Sequence, residues 1–166
     1  MNPDTIDRLR GFRPRLLLAI HGIADEALRT PERDNAWSII NVIGHLGDLE
    51  TVTAVRLRMI LARENPNLPA LDQNDWVARV HAGETLEEAL DYFWSARRSN
   101  LALLDRLPEG AFERRGVHPN YGSLSLADVV TRLEAHQEKH LGQIERIKTT
   151  LGLTKRSSFQ TAIAVQ

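Results

Sequence analysis

The sequence predicts an all-α four-helix bundle, and three observations carry that prediction. Four blocks of apolar residues recur at three- and four-residue steps, each long enough for several helical turns. Two of them open on a hydroxyl residue followed three positions later by an acid, the pattern of a capped helix start. The stretches between blocks are rich in turn formers and contain no convincing strand.

The first block spans residues 3–28, with Leu9, Phe12, Leu16, Ile20, Ile23 and Leu28 as its stripe. Pro3 suits a first helical turn, whereas Gly11 and Pro14 inside the pattern predict a kink or a restart. Pro31, Asp34 and Asn35 then read as a loop. The second block runs from Trp37 and Ser38 to about Arg63 and ends at Asn65-Pro66. A long connection follows over 64–84, with a short helix expected near Trp76. The third block opens at Thr85, where Glu88 can complete a capping box, and closes before Pro108. Residues 109–124 form a second long connection. The fourth block starts at Ser125, again with an acid at Asp128, and stops at Gly152. The expected organisation is a bundle over 1–152 and a tail over 153–166 without clear periodicity.

Composition narrows the function classes. The 166 residues suit one domain with a proper core, and 26% charged residues fit a globular chain. A formal net charge of -1 gives no reason to expect nucleic acid. The basic clusters at Arg8, Arg10, Arg13 and Arg15 and at Lys155 and Arg156 therefore read as solvated surface. There is no cysteine, which removes disulfides, thiolate ligands and a Cys nucleophile. Any thiol chemistry needs a thiol cosubstrate. The apolar run 16–20 is too short for a signal-peptide core or a membrane span, so a cytoplasmic protein without a membrane partner is expected.

Three of the six histidines stand out. His136 and His140 lie one helical turn apart and continue the stripe Val129–Leu133–Ile144, while His45 flanks the stripe of the second block. The pattern alone leaves two readings open. The rings are ligands of one divalent metal, or they are core histidines satisfied by backbone carbonyls or neighbouring acids. Two other metal chemistries are excluded by spacing. Gln137, not Glu, follows His136, so the zinc-protease motif is absent, and no Glu has a His three residues later, as a di-iron bundle would need.

Three segments, in order and spacing, resemble the DinB/YfiT-like bundle proteins across roughly residues 16–151. They are Trp37-Ser38 with His45-Leu46-Gly47-Asp48, the loop His118-Pro119-Asn120-Tyr121-Gly122, and His136-Gln137-Glu138-Lys139-His140-Leu141-Gly142-Gln143-Ile144. The resemblance implies an up-down-down-up bundle with a long crossover between the second and third helices, and the length of 64–84 supports it independently. It also implies metal ligation by His45, His136 and His140. Gln137 and Lys139 depart from relatives that carry Asp and a further His there, which puts any extra acid–base role on that helix in doubt.

Three imidazoles leave a coordination position open, as in a catalytic site. Zinc or nickel suits such donors, with iron or manganese also compatible. At an open zinc position water ionises near pH ~7, and a thiol cosubstrate could be held there instead. The resemblance therefore implies a transferase of a low-molecular-weight thiol or a hydrolase, acting on a small-molecule substrate. The alternative is a non-catalytic metal-binding bundle with a stress-response or partner-binding role. Affinity for the metal should fall below about pH 6, where free imidazole is protonated. Asp48 is a candidate base or ring-orienting acid, and Arg97 a candidate anion holder or structural ion pair. Trp37, Trp76 and Trp94 read as core before pocket, and His21, His81 and His118 as surface or loop residues. The weakly polar tail at 161–165 and the family's frequent dimers suggest a homodimer.

Overall fold

The computed structural model describes residues 3–153, and seven helices and one hairpin account for most of them. The first block is two helices, α1 (Pro3–Arg10) and α2 (Phe12–Ile20), followed by a single turn, α3 (Asp25–Arg29). The break falls at Gly11, one turn before Pro14. A proline ring displaces the carbonyl four residues back, here Arg10, so the helix interrupts there and restarts.

The three remaining long helices start where capping chemistry places them. In α4 (Ile39–Ala62) the Ser38 hydroxyl accepts from the Asn41 amide, and the Asn41 side chain accepts in return from the Ser38 amide. Thr85 with Glu88 opens α6 (Leu86–Leu104), and Ser125 with Asp128 opens α7 (Leu126–Thr150), both as full capping boxes. The crossover between α4 and α6 contains the short helix α5 (Gln73–Arg79), capped by Asp72.

Side-chain pairs fix the relative directions of the four bundle helices. Arg8 meets Glu134 and Arg15 meets Glu138, so α1–α2 run parallel to α7. Asp48 approaches Tyr92, and Glu50 meets Arg97, so α4 and α6 also run parallel. His45 faces His136, whereas Leu49 and Thr53 share a cavity wall with Leu133 and Val129, so α4 and α7 are antiparallel. The result is a four-helix bundle with the up-down-down-up topology that the resemblance implies. The arginines of the first basic cluster are largely spent on it, since Arg10 pairs with Asp7 and Asp105 and Arg13 stacks on Trp94.

The connection ahead of α7 departs from the expectation of no strand. Residues Arg115–His118 (β1) and Gly122–Ser125 (β2) pair antiparallel, with Arg115 opposite Ser125 and His118 opposite Gly122. The hairpin is too short to carry a period-2 signal, and a parallel bridge from Val117 to Asn67 ties it to the crossover.

The core is two apolar clusters separated by a polar belt. One gathers Phe12, Leu16, Ile39, Ile43, Phe93 and Ile144. The other holds Leu9, Leu57, Ile60, Leu126 and Val130. Each fully buried large side chain contributes about 1.5–3 kcal/mol, so both clusters stabilise the bundle strongly. Between them lie buried His45, Glu50, Arg97, Asn100, Gln137 and His140. Among the described residues no helix is long and apolar enough to cross a membrane. Almost all of the tail over 153–166, including the 161–165 segment behind the dimer expectation, lies outside the described residues.

Candidate metal centre

His45, His136 and His140 converge in the polar belt, and their ligand nitrogens all lie within 4.8 Å of one another. The long helices are the reason. His136 and His140 stand one turn apart on α7, with ring centroids 4.6 Å apart, and antiparallel α4 delivers His45 opposite both. His45 Nε2 sits 3.4 Å from His136 Nε2. Ligand nitrogens about 2.0–2.1 Å from a tetrahedral zinc are separated by about 3.3–3.4 Å, so this pair has the spacing of a site.

The hydrogen bonds bear on the two readings that the sequence left open. No ring of the triad bonds a carboxylate or a backbone carbonyl among the described residues, as a satisfied core histidine would. His140 Nδ1 lies 2.8 Å from the Gln143 side-chain oxygen and donates to it, which leaves the lone pair on Nε2. That Nε2 is buried and has no partner, and His45 Nδ1 is likewise without one. A buried lone pair facing two other imidazoles is what a cation would satisfy. Trp37 stacks on His140 at 6.0 Å and tilts over His45 at 4.9 Å, walling the site on one side.

The electrostatics keep the donors neutral. Burial, then the neighbouring His140 and His136, push His45 down to about 3, and burial with His136 pushes His140 down to about 4. His136 is lowered by burial and by Lys139 and Arg132. His45 and His140 therefore keep their lone pairs well below the pH 6 expected from free imidazole.

A pH dependence of the apoprotein follows. The unfolded histidines take up protons near 6.5, whereas folded His45 and His140 do not until about 3 and 4. The unfolded chain binds more protons throughout that window, so stability falls as pH drops from about 6.5 towards 4. Urea midpoints of metal-free protein between pH 7 and 4.5 should show that fall, and His45→Leu should flatten it. An equally steep fall in the variant would contradict the assignment.

Asp48 is not turned to this triad. Its carboxylate takes His81 Nε2 at 2.7 Å and the Tyr92 hydroxyl at 3.4 Å, and the other nitrogen of His81 reaches Glu84 at 2.8 Å. The Asp48 contact holds the His81 imidazolium above its ordinary range, and Glu84 adds to it. Of the reading of His81 and His118 as surface or loop residues, His81 does lie in the loop ahead of α6 and His118 ends β1. Both are buried, however, each 4% exposed, so neither is a surface residue. The signal available was glycine. A Cβ on Gly44 would lie 2.8 Å from His81, and one on Gly47 would run into the Tyr92 ring, so these two helical glycines make room for the crossover's polar anchor.

Arg97 faces the interior, as its helical phase predicts, and forms a structural pair. Its donors go to Glu50 at 2.8 Å, the Leu9 carbonyl at 2.6 Å and Gln137 at 2.8 Å. Trp76 lines a shallow recess with Asp48 and His81, and Trp94 packs on Phe93. Beside His136 a cavity of about 400 Å³ opens between α4, α7 and the hairpin.

Comparison with known proteins agrees with this fold. The family model of the DinB superfamily matches residues 8–144. A candidate metal-dependent hydrolase of Oceanobacillus iheyensis is 26% identical over 142 residues, covering 86% of this chain and 82% of its own. YfiT from Bacillus subtilis, likewise described as a candidate metal-dependent hydrolase, with an unusual four-helix bundle topology, superposes with a TM-score of 0.81. It does so at 23% identity over 90% of this chain and 86% of its own. TT2238, a four-helix bundle protein, superposes with a TM-score of 0.63 at 23% identity, over 86% and 97% of the two chains.

Proposed function

Because the chain belongs to the DinB superfamily, with the match spanning residues 8–144, we propose that it is a metal-dependent hydrolase centred on His45, His136 and His140. The observation that carries this is the buried, partnerless Nε2 of His140, aimed where the other two rings meet. A divalent ion in that position supplies Lewis acidity and brings the ionisation of water into the neutral range.

The chain's own residues set up the rest. His45, His136 and His140 present uncharged donors because burial disfavours their protonation. Gln143 fixes the tautomer of His140. Trp37 and the apolar cluster around Ile43 and Ile144 exclude water from one side, while the cavity at His136 admits a small molecule from the other.

The test joins metal content to turnover. Elemental analysis of purified protein should find about one divalent ion per chain, zinc or nickel first, as imidazole donors favour. A panel of small esters, amides and phosphoesters should include a substrate whose hydrolysis stops on chelation and returns with metal. A panel with bacillithiol, mycothiol or glutathione as cosubstrate separates thiol transfer from hydrolysis. Metal-free protein that hydrolyses as fast as loaded protein would end this reading.

A further inference from the structure

We propose that the cavity beside His136 grips the anionic group of a small-molecule substrate, a carboxylate or a phosphoryl oxyanion, through Arg56 and Arg132. The proposal rests on the metal-centre reading for the reacting end of that molecule, while the grip itself stands on the cavity's own residues.

The walls carry Arg56, Arg132 and Lys139 and not one Asp or Glu. Elsewhere Arg8, Arg15, Arg97 and Arg146 each sit on a carboxylate. Other arginines without an ion pair among the described residues, such as Arg33, Arg63 and Arg98, do not line this cavity. Among the described residues none of the three cavity cations forms an ion pair. Three neutral imidazoles next door bring no negative charge to offset a divalent ion either. Asp128, one turn before Arg132 on α7, feels its charge but neither pairs with it nor lines the cavity. Positive charge concentrated in one concave site, without a carboxylate in its walls, is complementary to an anion.

Both arginines are held in place. The Arg56 Nε and Nη2 donate to the Pro69 carbonyl at 3.0 and 2.7 Å, and Nη2 lies 3.0 Å from His118 Nε2. That arrangement fixes the guanidinium plane and leaves Nη1 uncommitted. Arg132 lies over Tyr121, its guanidinium carbon 3.6 Å from the ring centroid, and the ring contact uses none of its N–H donors. Burial and the charge of Arg132 both oppose the Arg56 cation, and burial with the two arginines keeps His118 uncharged. An arriving oxyanion would relieve that repulsion. The remaining walls include Leu49, Leu124 and Leu133, and about 400 Å³ suits a compact molecule with an anionic end and an apolar body.

Metal-stripped protein titrated calorimetrically with phenyl phosphate, benzoate and neutral benzyl alcohol tests this without reference to turnover. At least one of the anions should bind, with affinity falling as salt is raised, and benzyl alcohol should bind at least about tenfold more weakly. The preferred anion tells phosphoryl from carboxylate. Arg132→Met should lower anion affinity about tenfold, and Arg132→Lys should restore most of it. Arg132 supports no backbone, so the variant folds, and it should bind metal as the wild type does. Anion binding without metal binding would keep this proposal and remove the metal centre. Metal binding with no anion binding would do the reverse. Equal affinity for the neutral compound, or an Arg132→Met variant that binds the anion like the wild type, would also overturn it.

Discussion

Replacing His140 by alanine abolishes stoichiometric binding of a divalent ion, and His136→Ala and His45→Ala do the same. Each substitution leaves two imidazoles, and an ion held by two neutral donors stays largely solvated. The loss should be a rise in Kd of about a hundredfold or more, measured by chelator competition and by metal content after gel filtration. Gln143→Leu gives the graded case. It leaves all three ligands but removes the acceptor that fixes His140 Nδ1, and its affinity should drop about ten- to a hundredfold. Binding is the measure here, not melting temperature. Alanine at 140 removes the stack on Trp37 and also removes a partnerless buried nitrogen, two effects of opposite sign on the apoprotein. If all three alanine variants bind metal like the wild type, the histidines are core residues and the proposed hydrolase falls with them.

Most of the architecture was legible because it is written in local chemistry. Thr85 with Glu88 and Ser125 with Asp128 mark helix starts within one turn, and both boxes form at those positions. The Pro14 break could be placed only to within a few residues, because a proline disturbs the turn before it, at Arg10 and Gly11. Ligand geometry was legible on α7, where His136 and His140 share a face by helical period alone. Bringing His45 to them depends on how α4 crosses α7, which no local pattern encodes; there the family resemblance supplied what periodicity could not.

What stayed hidden is contact made through the two long connections. His81 is the loop residue it looked like, but its burial stayed hidden because its partners are 33 and three positions away, one on α4 and one just ahead of α6. Asp48 follows His45 by three residues, which suggested a shared task, yet the small surfaces of Gly44 and Gly47 turn its side of α4 towards the crossover. The cationic cavity was invisible for the same reason. Arg56 and Arg132 lie on different helices, and Tyr121 on the hairpin orients one of them.

Arg97→Ala is expected to destabilise the protein by about 3–5 kcal/mol, the range for removing one partner of a buried ion pair. Glu50 is 0% exposed and Arg97 4%, so solvent cannot replace the lost charge. The guanidinium also joins three helices. It donates to Glu50 on α4, to the Leu9 carbonyl on α1 and to Gln137 on α7, while Asn100 donates to the second Glu50 oxygen at 2.7 Å. Removing it strands Glu50 with half its donors and leaves the Gln137 amide with no partner at either end, since its nitrogen already has none. Phe12 and Phe93 lose the cation that lies over their rings at 5.8 and 5.0 Å. Replacing both charges, as Arg97→Met with Glu50→Leu, should recover much of the loss, because two apolar side chains leave no buried charge unpaired. Chemical denaturation of the two single variants and the double variant measures this. The same cycle tests the other role open to Arg97, that of holding a substrate anion. A substrate-holding arginine would raise KM at unchanged stability, so an Arg97→Ala protein that unfolds at the wild-type urea midpoint would exclude the structural pair.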